Sequence, residues 1–394
     1  MSGATEPTIH PEQQSLPVAA AALSGGSSAA PAVWTADADW ESEVRARIAL
    51  SLLVEPGDRQ VGADVAREGA QAVAARLSRT RVPRRADAVL TEAVAAQLSR
   101  AAEVDAECLV PSHPGWPSQL DDLGDAAPLL LWVRGGPLRV DLLRSVAIVG
   151  ARACSPYGRV QAETLAAEVA LFGWTVVSGG AYGIDAAAHN GALAVAGRTV
   201  LVSAGGVDRP YPRAHEHLYR RVRLSGAVIS ECPLGAPPAR HRFLTRNRLI
   251  AAMSRGTVIV EAALKSGARG TASAAARLTR HVMAVPGPVT SDLSVGCHDL
   301  IREGQAVLVG GSHDVLELIT PLGEAQPGSE AKSLLGWLAA KGPASVTEIA
   351  AALRFDEAAV LTLLTMLEGG GYVHRGRRGW RMTEDALARF ARRL

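Results

Sequence analysis

The chain has 394 residues, 48% of them hydrophobic, which is length for two or three domains and enough apolar material for a real core, so wholesale disorder is excluded. Lys+Arg is 41 and Asp+Glu is 39, a net charge of +2, so any nucleic-acid site must be a local patch and not a polycationic surface. Lys occurs only at 265, 332 and 341, and the 16 aromatic residues are few for a binder built on many stacked bases.

Residues 1–37 are rich in Ala, Ser, Pro and Gly without amphipathic period and read as a disordered leader. From 38 to 105 the pattern is helical. WESEVRARIALSLL, VGADVAREGAQAVAARL and ADAVLTEAVAAQLSRAA space apolar residues three or four apart, with Pro56-Gly57 and Pro83 as punctuation. This stretch is expected to form a small helical, SAM- or helix-hairpin-like domain. Nothing in it looks catalytic.

Over 106–320 short apolar runs alternate with helical stretches. VAIVG, TVVSG, TVLVSA, AVISE, TVIVEA, VMAVPG and AVLVG predict seven strands. Most are continuous Val/Ile/Ala runs, as in strands buried on both faces, and crossover helices require parallel pairing. The expected fold is α/β: a Rossmann-like, doubly wound, mainly parallel sheet. Residues 321–330 read as a linker. Within 331–394 three amphipathic helices precede GYVHRGRRGWRMT, two short strands about an Arg/Gly turn, which is the pattern of a winged helix.

Cys108, Cys154, Cys232 and Cys297 lie too far apart for a zinc knuckle and are expected to be reduced thiols. No basic residue precedes Arg45, so a signal peptide is not expected, and the apolar runs fall far short of about 18 residues. The sequence therefore predicts a soluble, cytoplasmic chain without a membrane anchor.

Ligands of open α/β sheets bind beyond the carboxyl ends of the strands. After VAIVG, Gly150 allows a tight turn, Arg152 adds a charge, and a helix from about Pro156 offers free N–H donors to an anion. After TVVSG, the loop of Ser178, Gly179, Gly180 and Gly183 can bring bare backbone close to a phosphate. Asp185 and His189 follow on one helix face. With no third ligand evident, they are expected to be structural, Asp185 at the positive helix end and His189 bonded to a neighbouring loop.

The strongest electrostatic feature is 209–255, with ten Arg against Glu216 and Glu231. On a helix predicted to start near Phe243, Arg246 and Arg248 splay to different sides and either could reach a phosphate, while Asn247 can donate to sugar or base. Lys265, Ser266, Gly267 and Gly270-Thr271 then form a predicted Gly-rich loop, but G-x-x-x-x-G-K-[ST] is absent, which argues against ATP hydrolysis. No nucleophile–base pair or metal cluster accompanies these loops. The arrangement suits holding several phosphates, without cofactor or metal, better than breaking a bond.

In this order VAIVGARACSPYG, SGGAYGIDAAAH, GGVDRPYP, ISECPLG, FLTRNRLIAAMS, VEAALKSGARGTA and AVPGP, with HPGWPSQLDDLGDAAPLLLWVRG before them, resemble the DNA-processing protein DprA (Smf) family over about 110–315. Gly180 stands where that family usually has Leu, and Leu244 where it usually has Pro. The resemblance implies a non-enzymatic protein that binds single-stranded DNA in a basic pocket, forms homodimers, and loads RecA recombinase onto incoming strands in natural transformation and recombination. It carries the DNA-binding role to Arg152, Gly179, Arg198, Phe243, Arg246 and Arg248, and less directly to Lys265; Asn247, between the two arginines, joins the candidate DNA-binding residues on its amide alone.

Two other functions fit the sequence less well. A phosphoribohydrolase-like enzyme would carry P-G-G-x-G-T-x-x-E, but here SGARGTASAA has no Glu after Gly-Thr. A regulator would read duplex DNA through the third helix of the tail, but DEAAVLTLLTMLEGG has no Lys or Arg, so the tail is expected to contact protein or to bind duplex weakly.

Overall fold

The computed structural model describes residues 40–81, 86–136, 138, 142–320, 329–369, 371–384 and 386–387. The expected leader (1–37), Pro83 and most of the expected linker (321–328) lie outside the described residues.

Four helices open the chain: α1 (Trp40–Leu53), α2 (Arg59–Glu68), α3 (Ala70–Arg81) and α4 (Ala86–Val104). The sequence pattern predicted three. The second breaks at Gly69, whose φ of 83° lies in the left-handed region that glycine adopts without Cβ strain. Asp58 caps α2 through the Val61 N–H.

A nine-stranded sheet follows. Its strands are β1 (Glu107–Leu109), β2 (Leu131–Gly135), β3 (Ser145–Val149), β4 (Thr175–Ser178), β5 (Thr199–Val202), β6 (Ala227–Ser230), β7 (Gly256–Ile259), β8 (His281–Ala284) and β9 (Val307–Leu308). The spatial order is β1-β2-β6-β5-β4-β3-β7-β8-β9. All seven expected strands are present and pair in parallel. β1 and β2, which the sequence pattern did not predict, extend the sheet: β2 pairs antiparallel with β6, and β1 pairs antiparallel with β2. Along β3, Val146 and Ile148 enter one apolar cluster while Ala147 and Val149 enter the other. That is the period of two buried on both faces, and it explains the uninterrupted apolar runs.

One face is covered by α5 (Pro156–Leu171), α6 (Ile184–Ala194) and α11 (Ser312–Ile319). The other is covered by α8 (Arg240–Ala252), α9 (Gly267–Arg277) and α10 (Val295–Arg302). The N-terminal helices share a third cluster with β2, β5, β6 and α7 (Glu216–Ser225), in which Trp132 and Leu201 are wholly buried. Glu55 fastens this unit to α8 by accepting from Arg242 Nε (2.8 Å) and Nη2 (2.7 Å).

After the sheet come α12 (Ser329–Lys341), α13 (Val346–Leu353) and α14 (Glu357–Gly369), then an antiparallel hairpin of β10 (Val373–Gly376) and β11 (Gly379–Met382). α12 begins two residues earlier than expected. Ser345 and Glu348 form a capping box at the start of α13. The four cysteines are free, and among the described residues no helix is long and apolar enough to cross a membrane.

Candidate nucleic-acid interface

β3 is the point where the sheet reverses direction. β4, β5 and β6 lie on one side of it and β7, β8 and β9 on the other. Crossovers leaving β3 and β7 in opposite directions open a crevice at their carboxyl ends. A cleft of about 170 Å³ occupies it, lined among others by Gly150, Arg152, Asp185, Phe243, Arg246 and Asn247, with Ser266 and Gly267 at the start of α9.

The floor of the cleft is a buried ion pair. Arg246 projects from the middle of α8, which starts at Arg240, three residues before the predicted start. Its Nη2 donates to the Gly179 carbonyl (3.2 Å) and lies 3.8 Å from Asp185 Oδ2, and both side chains are only 8% exposed. Gly179 is small by necessity, since a Cβ there would sit 1.8 Å from Arg246 Nη1. Asp185 accepts the Ala181 N–H (3.4 Å). Burial raises the Asp185 pKa, opposed by Arg246 and by the nearby backbone amides of Ala181, Gly150 and Gly179. The glycine loop expected to cradle a phosphate therefore already faces the protein's own carboxylate.

The N-terminus of α5 is occupied in the same way. Ser155 caps it by accepting the Gly158 N–H (3.0 Å). The Ser155 N–H and hydroxyl in turn donate to the buried Glu261, which follows β7. The sequence reading of free donors here is corrected: an internal anion fills the seat.

His189 is wholly buried, with Nδ1 2.7 Å from Thr199 Oγ1. The Thr199 hydroxyl gives its proton to the Val176 carbonyl (2.8 Å), so His189 Nδ1 must be the donor. Burial pushes its pKa down to about 3, so it stays neutral. Asp185 and His189 are thus packed in structural roles. Among the described residues no three His, Cys, Asp or Glu side chains cluster as metal ligands.

The mouth of the cleft is different in kind. Arg152 is exposed, and its guanidinium lies over the Phe243 ring, 4.8 Å from the centroid. Phe243 packs against Tyr211 at 5.7 Å between centroids. Tyr211 is 47% exposed and Tyr182 50%. The sequence reading missed both tyrosines. Their signal was an aromatic residue set in a Gly- or Pro-rich loop just after a strand, with no apolar period to bury it.

The remaining expected residues divide. Asn247 lines the cleft and spends one amide hydrogen on the Gly267 carbonyl (3.3 Å). Lys265 is exposed beside Ser266 at the rim. Gly270 and Thr271 belong to α9 and not to a loop. Arg248 turns away from the cleft into a bond with the buried Glu231 (2.6 Å). Arg198 precedes β5 and so lies at the amino edge of the sheet, a strand length from the cleft. Those two charges do not join Arg152 and Arg246, because Arg248 has a buried partner and Arg198 is on the wrong edge. The Arg-rich 209–255 stretch is likewise partly neutralised by distant acids: Glu55 takes Arg242 and Asp185 faces Arg246.

Comparison with known proteins agrees with this architecture. The profile of the DNA recombination-mediator protein A family matches residues 107–320. The putative DNA processing protein DprA of Mycobacterium tuberculosis is 46% identical over 270 residues, covering 65% of this chain and 69% of that protein. The crystal structure of DNA processing protein A from Streptococcus pneumoniae is 33% identical with a TM-score of 0.58, covering 70% of this chain and 96% of that one. A structure of the Helicobacter pylori protein, described for its single-stranded DNA binding mode, is 30% identical with a TM-score of 0.49, covering 54% of this chain and 95% of that one. With parallel order, switch-point cleft and family profile coinciding over the same residues, this chain belongs to the DNA recombination-mediator protein A family.

Proposed function

We propose that the chain binds single-stranded DNA at the carboxyl edge of its parallel sheet, without altering it covalently, and loads RecA recombinase onto the bound strand in DNA uptake and homologous recombination. One observation carries this reading: the half-buried Phe243 ring between the exposed Arg152 and Tyr211 at the mouth of the switch-point cleft. A guanidinium held on a ring meets a phosphate while the neighbouring ring faces a base, and every base has a π-face. Arg246, neutralised by Asp185, shapes the floor, while Arg152, Lys265 and the start of α9 supply the positive potential. The RecA partner and a homodimeric state rest on the family resemblance. The division into a helical domain (38–105), a Rossmann-like domain (106–320) and a winged helix (331–394) rests on the hydrophobic patterning of the sequence.

Fluorescence anisotropy with a labelled oligo-dT across a salt series tests the site. Arg152→Ala should flatten the log–log salt slope by about 0.7, one phosphate contact. Phe243→Ala should cost about 1–3 kcal/mol with the slope unchanged. Wild-type binding by both variants would refute the assignment. RecA filament assembly on a single strand, scored with and without the protein, tests the loading role.

A further inference from the structure

Arg152 also lines a second, larger groove. It lies against α5 and α6, over the opposite sheet face from α8 and α9, measures about 670 Å³ and is bounded by Arg152, Arg159, Glu163, Tyr182 and Asn190. That volume is within the range of about 300–1,000 Å³ that holds a small organic ligand. We propose that this groove seats one nucleobase of the same polynucleotide, with its flanking phosphates on Arg152 and Arg159 at the rim. The proposal rests on the function argued above and extends the strand's path across the sheet edge.

Four features support it. Arg152 and Arg159 are both exposed, and among the described residues neither has a carboxylate partner. They can therefore bind phosphate without first breaking an ion pair. Tyr182 stands half-exposed with its edge fixed by His215, in a T-shaped contact at 4.7 Å and 70°. The His215 ring is itself held by donating from Nδ1 to the Gly180 carbonyl (3.0 Å). A ring oriented in advance stacks on a base at low entropic cost.

Asn190 is oriented as well. Its Oδ1 accepts from Arg221 Nη1 (3.1 Å), which leaves the amide hydrogens as donors. Glu163 is the single carboxylate in the lining. It repels a phosphate from the interior but accepts an N–H, and every nucleobase presents an N–H on its edge. The two side chains together sort the nucleotide, base inside and backbone at the rim.

The test is anisotropy of the full chain with a labelled 15-nucleotide oligo-dT, titrated across salt. Arg159→Ala should flatten the salt slope by about 0.7. Tyr182→Ala should weaken binding by about five- to a hundredfold with no change of slope. Both side chains are solvent-facing, and far-UV circular dichroism melts superimposing on wild type would show that folding is retained. If Arg159→Ala keeps the full slope and Tyr182→Ala the full affinity while Arg152→Ala and Phe243→Ala weaken binding, the groove lies off the strand's path and this proposal is overturned with the main interface intact. If none of the four changes binding, the proposed function itself fails.

Discussion

Gly179→Ala is the most sensitive probe of how the cleft floor is built. Gly179 has no left-handed φ, so alanine meets no backbone penalty and the whole effect is steric. The added methyl would stand 1.8, 1.9 and 2.1 Å from Nη1, Nη2 and Cζ of Arg246. Reaching ordinary contact at about 3.5 Å requires the guanidinium to withdraw by roughly 1.5 Å. It cannot do so freely, because it is buried and engaged with the Gly179 carbonyl and Asp185. Overpacking of this kind costs about 1–3 kcal/mol, and loosening the pair adds part of the 3–5 kcal/mol that breaking a buried pair costs. The expected loss is therefore about 2–4 kcal/mol, read as a lower urea midpoint by circular dichroism and tryptophan fluorescence. The decisive comparison is the same substitution in an Asp185→Asn/Arg246→Met background, which strands no charge and replaces the guanidinium with a side chain that can yield. There Gly179→Ala should cost less than about 1 kcal/mol. An equal cost in both backgrounds would refute the steric coupling.

Three further outcomes follow from the geometry. Burial acts to raise the Glu55 pKa, but hydrogen bonds from Arg242 and His241 outweigh it and hold the group below its ordinary 4.5. Its contribution is therefore present above pH 4.5 and lost as pH falls through the lower folded value, so urea midpoints of wild type and Glu55→Gln should differ at pH 7 and draw together as pH falls below 4.5. A gap that stays constant on acidification would contradict the pairing. Arg198→Ala should leave oligonucleotide affinity and salt slope at wild type, and a slope flattened by about 0.7 would instead show a strand reaching the amino edge. ATP or dTMP at about 0.1 mM should not displace a bound oligonucleotide in the anisotropy assay, since one charged contact and one stacked ring supply no more than about 4 kcal/mol, a Kd of about 1 mM; competition at micromolar levels would show a closed mononucleotide site.

The parallel sheet was legible because its strands are buried on both faces. Val146 to Val149 cannot alternate with polar residues when one face packs on α5 and the other on α8 and α9. β1 and β2 were not, since Glu107–Leu109 is too short to carry a period and Leu131–Gly135 lies in an apolar run that fits several elements. At the site, strand ends and glycines located the loops around Arg152, Phe243, Arg246 and Asn247. What spacing cannot reveal is which distant acid each cation meets. Asp185 is 61 positions before Arg246, and Glu261 is 106 beyond Ser155. Tyr182 and Tyr211 escaped because the role proposed for them depends on exposure, which a count of 16 aromatic residues does not report.

On the function proposed above, the two internal carboxylates set the preference of the switch point for a polymer over a mononucleotide. In a nucleotide-binding α/β sheet the first loop and the helix behind it keep their N–H groups open for a phosphate. Here Glu261 closes the N-terminus of α5, and Asp185 takes the Ala181 N–H of the glycine loop. Each would repel a phosphate driven into its seat, so a mononucleotide finds no enclosed pocket in which to concentrate its binding energy. At this cleft positive charge and ring surface stand on the outer rim, at Arg152, Phe243 and Tyr211. Such a rim holds one unit weakly. A polymer whose successive phosphates and bases meet successive rim groups binds tightly, because after the first contact the rest form at high effective concentration. The same burial of acid that removes a nucleotide site thus favours an unpaired strand lying across the edge of the sheet.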